Sequence, residues 1–119
     1  MYNERLKEIE GISIPYVSSK VKMSWFVYVV RLGDRFGKED RDRILRYLRE
    51  RGIGCSNYFP PIHLQPFYRR TFGYKKGDFP VAEYVSERTI ALPFYNNLME
   101  KQVERVVEEL RGALRSMGR

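Results

Sequence analysis

Apolar residues recur along this chain with two periods, one typical of strands and the other typical of helices. Residues 21–32 are rich in aromatic and β-branched side chains, which favour a strand. Because apolar residues fall on both faces of this segment, the pattern predicts a central strand that is covered on each side. Residues 53–59 and 89–92 predict two further short strands, each followed by proline, which cannot continue a ladder of hydrogen bonds.

An amphipathic helix is predicted over residues 38–51. Ile44, Leu45 and Leu48 fall on one face of this helix, and Gly52 follows it as a natural C-cap. The helical period therefore predicts that one face packs on the core.

A second amphipathic helix is predicted near the end of the chain. It begins at Asn97, with Glu100 at the spacing of a capping box. The helix is expected to fray after residue 114. Its apolar stripe consists of Met99, Val103, Val106, Val107, Leu110 and Leu114.

The remaining segments predict short elements. Residues 3–10 predict a helix that ends at glycine, and residues 12–16 predict an extended segment. Residues 63–77 predict a loop with one helical turn after Pro66, and Pro80 is well placed to begin a helix that ends near residue 88. We therefore predict an α+β fold, in which a small antiparallel or mixed sheet of about three strands packs against helices.

Length and composition predict a single domain over residues 1–119 with a globular core. No apolar run approaches the ~20 residues of a membrane span. The charged start lacks the apolar core of a signal peptide, and a single cysteine excludes a disulfide framework. A cytoplasmic location is the expectation.

The net charge of +7 is mostly spread among interleaved acidic residues, with one local exception. Arg69, Arg70, Lys75 and Lys76 lie within eight residues, and two aromatic residues lie among them. Such a cluster can hold phosphates and stack bases. Since it is short and isolated, nucleic acid is an unfavoured partner, although a stand-alone basic module that binds nucleic acid or a protein stays open as an alternative.

The residues that could carry chemistry are few. Cys55 and His63 are the single thiol and the single imidazole, too few for a zinc site, and their spacing gives no sign of a nucleophile–base pair. An enzyme that uses Cys55 is a third, minor alternative. His63 follows two prolines in a predicted loop, where binding residues tend to lie, and we expect its side chain near the surface. The phenylalanines of residues 59–79 are interpreted as packing residues.

Three stretches carry a recognisable order of motifs: MSWFVYVVRL, RDRILRYLRERGIGCSNYFPPIHLQPFYRRTFGY and FPVAEYVSERTIALPFYNNLMEKQVERVVEEL. In this order they resemble the C-terminal small domain of the DegT/StrS family of sugar aminotransferases. These are pyridoxal-phosphate enzymes of the aspartate-aminotransferase-like fold that aminate keto groups on nucleotide-linked sugars. The resemblance covers nearly the whole chain.

The resemblance implies a substrate-binding role for the IHLQP loop, which borders the active-site cleft in the family. On this chain the implied residues are His63, Leu64 and Gln65, with Tyr58 and Tyr68 on the same wall. The family's Schiff-base lysine motif has no counterpart here, so no catalytic and no cofactor-binding residue is expected in this chain.

The resemblance also implies partners. Residues 1–11 would be the helix that connects to an N-terminal large domain, which holds pyridoxal phosphate in the family. Family subunits complete one another's sites, so a homodimer is expected. The chain alone is expected to be inactive, and to self-associate through apolar surface near the first helix and the IHLQP loop.

Overall fold

A computed structural model describes residues 2–95 and 97–117 of the chain. These residues form an antiparallel sheet of three strands that packs against helices. The strands are β1 Ile12–Ser13, β2 Tyr28–Leu32 and β3 Thr89–Leu92. They lie in the order β1–β2–β3, which confirms the predicted α+β fold. A 3₁₀ turn, Ile62–Leu64, lies between β2 and β3. The helices are α1 Tyr2–Leu6, α2 Lys38–Glu50, α3 Pro66–Phe72, α4 Pro80–Ser86 and α5 Glu100–Ser116.

The central strand β2 is shorter than the sequence predicted. Its register pairs Tyr28 with Leu92 and Arg31 with Thr89, so the four residues of β3 define how far the ladder extends. Pro93 ends β3, and Pro15 follows β1 on the other side. Residues 21–27 therefore have no strand to pair with, and Phe26 is 73% exposed.

The two faces of β2 are buried unequally, so the predicted cover on both of its faces is wrong. Tyr28, Val30 and Leu32 are buried on the inner face, whereas Arg31 is exposed on the outer face. The inner face contributes to a core shared with α1, α2 and α5. This unequal burial of the two faces is ordinary for an antiparallel sheet.

The predicted strand over residues 53–59 is also wrong, because only one of its residues pairs. Ser56 and Ala91 exchange backbone hydrogen bonds of 2.8 and 3.3 Å at the outer edge of β3. Beyond this bridge, the hydroxyl of Thr89 bonds to the backbone carbonyl of Tyr58 at 3.1 Å. At Thr89 the side chain, rather than the backbone, thus makes the hydrogen bond to the neighbouring segment. The bridge at Ser56 and this contact together attach residues 56–58 to the sheet.

The two amphipathic helices form as predicted, and α2 packs against α5. Helix α2 buries its predicted stripe and ends before Gly52, whose φ of +78° is the left-handed conformation that glycine adopts readily. Helix α5 buries Val103, Val106, Val107, Leu110 and Leu114.

The start of α5 differs from the prediction. Met99 is the N-cap and is 64% exposed, so it lies outside the buried stripe. Its backbone N–H donates to the side-chain oxygen of Gln102 at 2.7 Å, so the capping contact uses Gln102 rather than the predicted Asn97 and Glu100. The helix continues to Ser116, two residues past the point where fraying was expected.

Helix α1 ends at Leu6, earlier than predicted, and its buried residues Tyr2 and Leu6 belong to the common core. Arg5 donates to Glu100 at 2.8 Å and to Glu104 at 2.9 Å, which ties α1 to the first turns of α5. Within the described ranges, no helix is long and apolar enough to cross a membrane.

Candidate functional site

An aromatic cavity of about 620 Å³ lies between the segment that follows Ser56, helix α3 and helix α4. It brings together three of the five residues for which the sequence predicts substrate binding, namely Tyr58, His63 and Tyr68. The remaining lining residues are Phe59, Pro60, Pro61, Ile62, Phe72, Tyr74, Phe79, Ala82, Val85 and Ser86. We call this space the aromatic cavity.

His63 is buried in the wall of this cavity, with only 7% of its surface exposed, so the expectation of a side chain near the surface is wrong. Its Nε2 lies 3.0 Å from Oε2 of Glu83 on α4. The rings of Phe79 and Tyr74 contact the imidazole edge-on, with centroid distances of 4.8 and 6.4 Å. The acidic partner and the two rings cover the imidazole.

The carboxylate of Glu83 is the centre of a hydrogen-bond cluster. The backbone N–H of Gly77 donates to both of its oxygens at 2.9 Å, and that of Phe79 donates to Oε2 at 3.2 Å. These donors favour the charged form. The Gly77 N–H above all, together with the His63 contact, lowers the pKa of Glu83 below its ordinary value, and burial opposes them.

Two glycines shape the loop that delivers these donors. Gly73 ends α3 with φ +70°, and Gly77 has φ +100°, both in the left-handed region where glycine is favoured. Between them, the backbone N–H of Lys75 donates to the carboxylate of Asp78 at 2.8 Å. This loop carries Tyr74 and Phe79 to the cavity wall.

The other two predicted residues, Leu64 and Gln65, do not line the aromatic cavity. Leu64 is half-buried and lines an adjacent cavity of about 290 Å³, together with Glu83 and Lys76. Gln65 is exposed, and its backbone bonds to Ile62 and Arg69 across the turn into α3. No observation tests substrate binding by any of the five, so that role stays a prediction.

Sequence reasoning did not identify Glu83 as a residue of the candidate site. It lies 20 positions from His63, and its only local signal is an acid in the first turn of a helix that begins at Pro80. Tyr74 and Phe79 were missed for the same reason, since their contacts depend on the path of the loop.

The interpretation of the phenylalanines around this site as core and loop packing is wrong in its core part, although each of them contacts a neighbouring aromatic ring. Phe59, Phe67 and Phe72 are 59–60% exposed, and Phe79 is 45% exposed. The basic side chains at 69, 70, 75 and 76 are exposed as well. Exposed basic side chains are compatible with nucleic-acid binding but are equally compatible with an ordinary charged surface. The alternative of a basic module that binds nucleic acid therefore stays a prediction.

Cys55 does not contact His63 in the described part of the chain. Its Sγ donates to the carbonyl of Leu45 at 3.7 Å, and burial raises the pKa of this thiol although Arg49 opposes the shift. Among residues 2–95 and 97–117, no group of three acidic, histidine or cysteine side chains could hold a metal ion.

The lowered pKa of Glu83 predicts a loss of stability in acid. A carboxyl whose pKa is lower in the folded chain stabilises the fold above its ordinary value of 4.5, and loses this contribution as the pH falls through the folded pKa. Thermal unfolding between pH 7 and pH 3 measures this loss. At pH 7 Glu83→Gln should have a lower Tm than wild type, and the difference in Tm between the two proteins should decrease below pH 4.5. Glu87→Gln, at the residue that follows helix α4, is the control. If the difference in Tm between Glu87→Gln and wild type narrowed in acid in the same way, the assignment to Glu83 would be contradicted.

The geometry of this fold is shared with solved aminotransferases. The structure of the aminotransferase TlmJ from Streptoalloteichus hindustanus matches 99% of this chain, with a TM-score of 0.82 and 28% identity, and the match covers 30% of TlmJ. A small antiparallel sheet packed against helices, matched over almost the whole chain, defines the fold of an aspartate-aminotransferase-like aminotransferase.

The family follows from the sequence comparison. The family model for DegT/DnrJ/EryC1/StrS aminotransferases matches residues 1–111, so the chain belongs to this family. It is 41% identical to MJ1066 of Methanocaldococcus jannaschii and 32% identical to SpsC of Bacillus subtilis, a spore coat polysaccharide biosynthesis protein, each over 111 residues. These matches cover 93% and 92% of the chain but only 29% and 28% of the two relatives.

Proposed function

We propose that this chain is the C-terminal domain of a pyridoxal-phosphate-dependent aminotransferase that transfers an amino group to a keto group on a nucleotide-linked sugar. In this proposal the aromatic cavity forms one wall of the substrate cleft. The observation that carries it is the meeting of Tyr58, His63 and Tyr68 around one cavity, in a chain that belongs to a sugar aminotransferase family. SpsC, which acts in polysaccharide biosynthesis, supports a sugar substrate.

The chemistry of the cavity suits such a substrate. The phenol groups of Tyr58 and Tyr68 can donate to and accept from sugar hydroxyls, and apolar rings lie beside them in the cavity wall. Arg69 and Arg70 follow Tyr68 directly on α3 and are exposed, so their guanidinium groups could contact a phosphate oxygen.

The cofactor does not fit this cavity as a covalent partner. Pyridoxal phosphate forms a Schiff base with a lysine and supplies the amino-transfer chemistry when bound. None of the residues that line the aromatic cavity is a lysine. Because the family's Schiff-base lysine motif has no counterpart in this sequence either, we assign the cofactor to another part of the whole protein.

The same proposal includes the arrangement of the whole protein. Helix α1 is the connection to an N-terminal large domain, and the whole protein is a homodimer. The exposed Phe59, Ile62 and Phe72 beside the cavity are suitable for contact with these partners, because exposed apolar surface marks sites of association.

Replacement of His63 tests the proposal. In the aminotransferase that contains this chain, His63→Ala should lower kcat/KM for transfer from glutamate to a nucleotide-linked keto sugar about 10- to 100-fold, the loss expected for one or two hydrogen bonds. Steady-state kinetics measures this, and Glu108→Ala on the exposed face of α5 is the control. Unchanged kcat/KM in a folded His63→Ala protein would refute the proposed cleft wall.

A further inference from the structure

Glu83 holds His63 in one orientation. The two side chains are buried, with 10% and 7% of their surface exposed, and Oε2 lies 3.0 Å from Nε2. An ionised carboxylate only accepts hydrogen bonds, so the proton of this contact belongs to Nε2 of the imidazole. The contact thereby distinguishes the two ring nitrogens of His63.

The other nitrogen, Nδ1, has no hydrogen-bond partner among residues 2–95 and 97–117. The rings of Phe79 and Tyr74 pack edge-on against the imidazole. Since the ring lines the aromatic cavity and Nε2 is engaged, Nδ1 is the nitrogen that remains for a ligand.

Most of the acceptor capacity of Glu83 is taken up by groups of this chain. An ionised carboxylate offers about four lone-pair positions. Gly77 uses both oxygens, and Phe79 and His63 share Oε2. The carboxylate is therefore suited to hold neighbouring groups rather than to contact a substrate.

We propose that Glu83 is the positioning residue of His63, fixing the imidazole through Nε2 so that Nδ1 alone meets the substrate. The inference deepens the proposed function and rests on it for the identity of the ligand. The positioning itself depends only on the contacts within this chain.

Nuclear magnetic resonance of the chain tests the positioning directly, because His63 is its one histidine and its ring signals are unambiguous. In wild type the Nε2–H proton should be visible at pH 7, since burial and the hydrogen bond slow its exchange. Glu83→Gln should broaden or remove this signal, whereas Glu87→Gln should retain it. A persistent Nε2–H signal in Glu83→Gln would overturn the proposal. A wild-type spectrum in which the imidazole proton lies on Nδ1 instead of Nε2 would also overturn it. This second test uses the wild-type chain alone and does not depend on the folding of any variant.

Kinetics of the whole aminotransferase separate this inference from the proposed function. Glu83→Gln should raise KM about 10-fold with little change in kcat, and should add nothing to His63→Ala, because residues that act through one another are not additive. Full additivity of the two losses would overturn the positioning role. If His63→Ala leaves kcat/KM unchanged while Glu83→Gln loses the Nε2–H signal, Glu83 positions His63 but His63 does not bind the substrate.

Discussion

Ile90→Ala is expected to lower the free energy of unfolding by about 2–5 kcal/mol, the usual loss for a large aliphatic side chain removed from a packed core. Ile90 lies on β3 with none of its surface exposed, opposite Val30 of β2, which is equally buried. Its side chain belongs to the core between sheet and helices, so the substitution leaves a cavity that the sheet backbone cannot close. Because the free energy of unfolding of small domains is only about 5–15 kcal/mol, this loss would be a large fraction of the total stability.

Urea unfolding monitored by circular dichroism measures this loss. The matched control is Ile62→Ala, which removes the same atoms from a side chain that is 62% exposed. We expect the control to change stability by less than about 1 kcal/mol, since little apolar surface is lost from the interior. Equal losses in the two variants would contradict the assignment of Ile90 to the core.

Gly11→Ala is expected to destabilise the fold by about 1–3 kcal/mol, the cost typical of a residue forced into a sparsely populated backbone conformation. Gly11 has φ +93°, and an added Cβ would lie 2.9 Å from Arg35 and 3.0 Å from the ring of Phe36. Phe36 is 1% exposed and cannot move aside without opening the core. The carbonyl of Gly11 also accepts the N–H of Gly33 at 2.7 Å, so the backbone is held at this point.

Gly54→Ala is the matched control for this substitution. Gly54 lies outside the left-handed region, and an added Cβ would meet no atom within 4 Å. Thermal unfolding should show a Tm close to wild type for Gly54→Ala and a clear decrease for Gly11→Ala. Similar Tm values for the two variants would show that neither the positive φ nor the close approach at Gly11 matters.

Elements whose pattern is local could be predicted from the sequence. Strand β3 has the predicted bounds. The predicted stripe of α2 and, apart from Met99, that of α5 are buried, because helical periodicity depends only on neighbours along the chain. The motif order around His63 also named Tyr58, His63 and Tyr68, which line one cavity in the structure, whereas their substrate-binding role stays a prediction.

Features that depend on distant partners could not be predicted. The length of β2 is limited by β1 and β3, although its own residues favour a longer strand. The burial of His63 depends on Glu83 and on a loop turned by Gly73 and Gly77, and no pattern in the sequence joins these positions. Propensity describes a segment, whereas pairing and burial are properties of the assembled fold.

The edges of the sheet leave little backbone available to another chain. Strand β1 forms only two pairs before Pro15. The outer edge of β3 is covered by Ser56, which pairs with Ala91, and by Tyr58, whose carbonyl accepts the hydroxyl of Thr89. Short, covered edges oppose the addition of a foreign strand. Any self-association of this domain would therefore run through its exposed aromatic side chains, a contact that can be reversed, rather than through backbone pairing of the kind that extends into fibres.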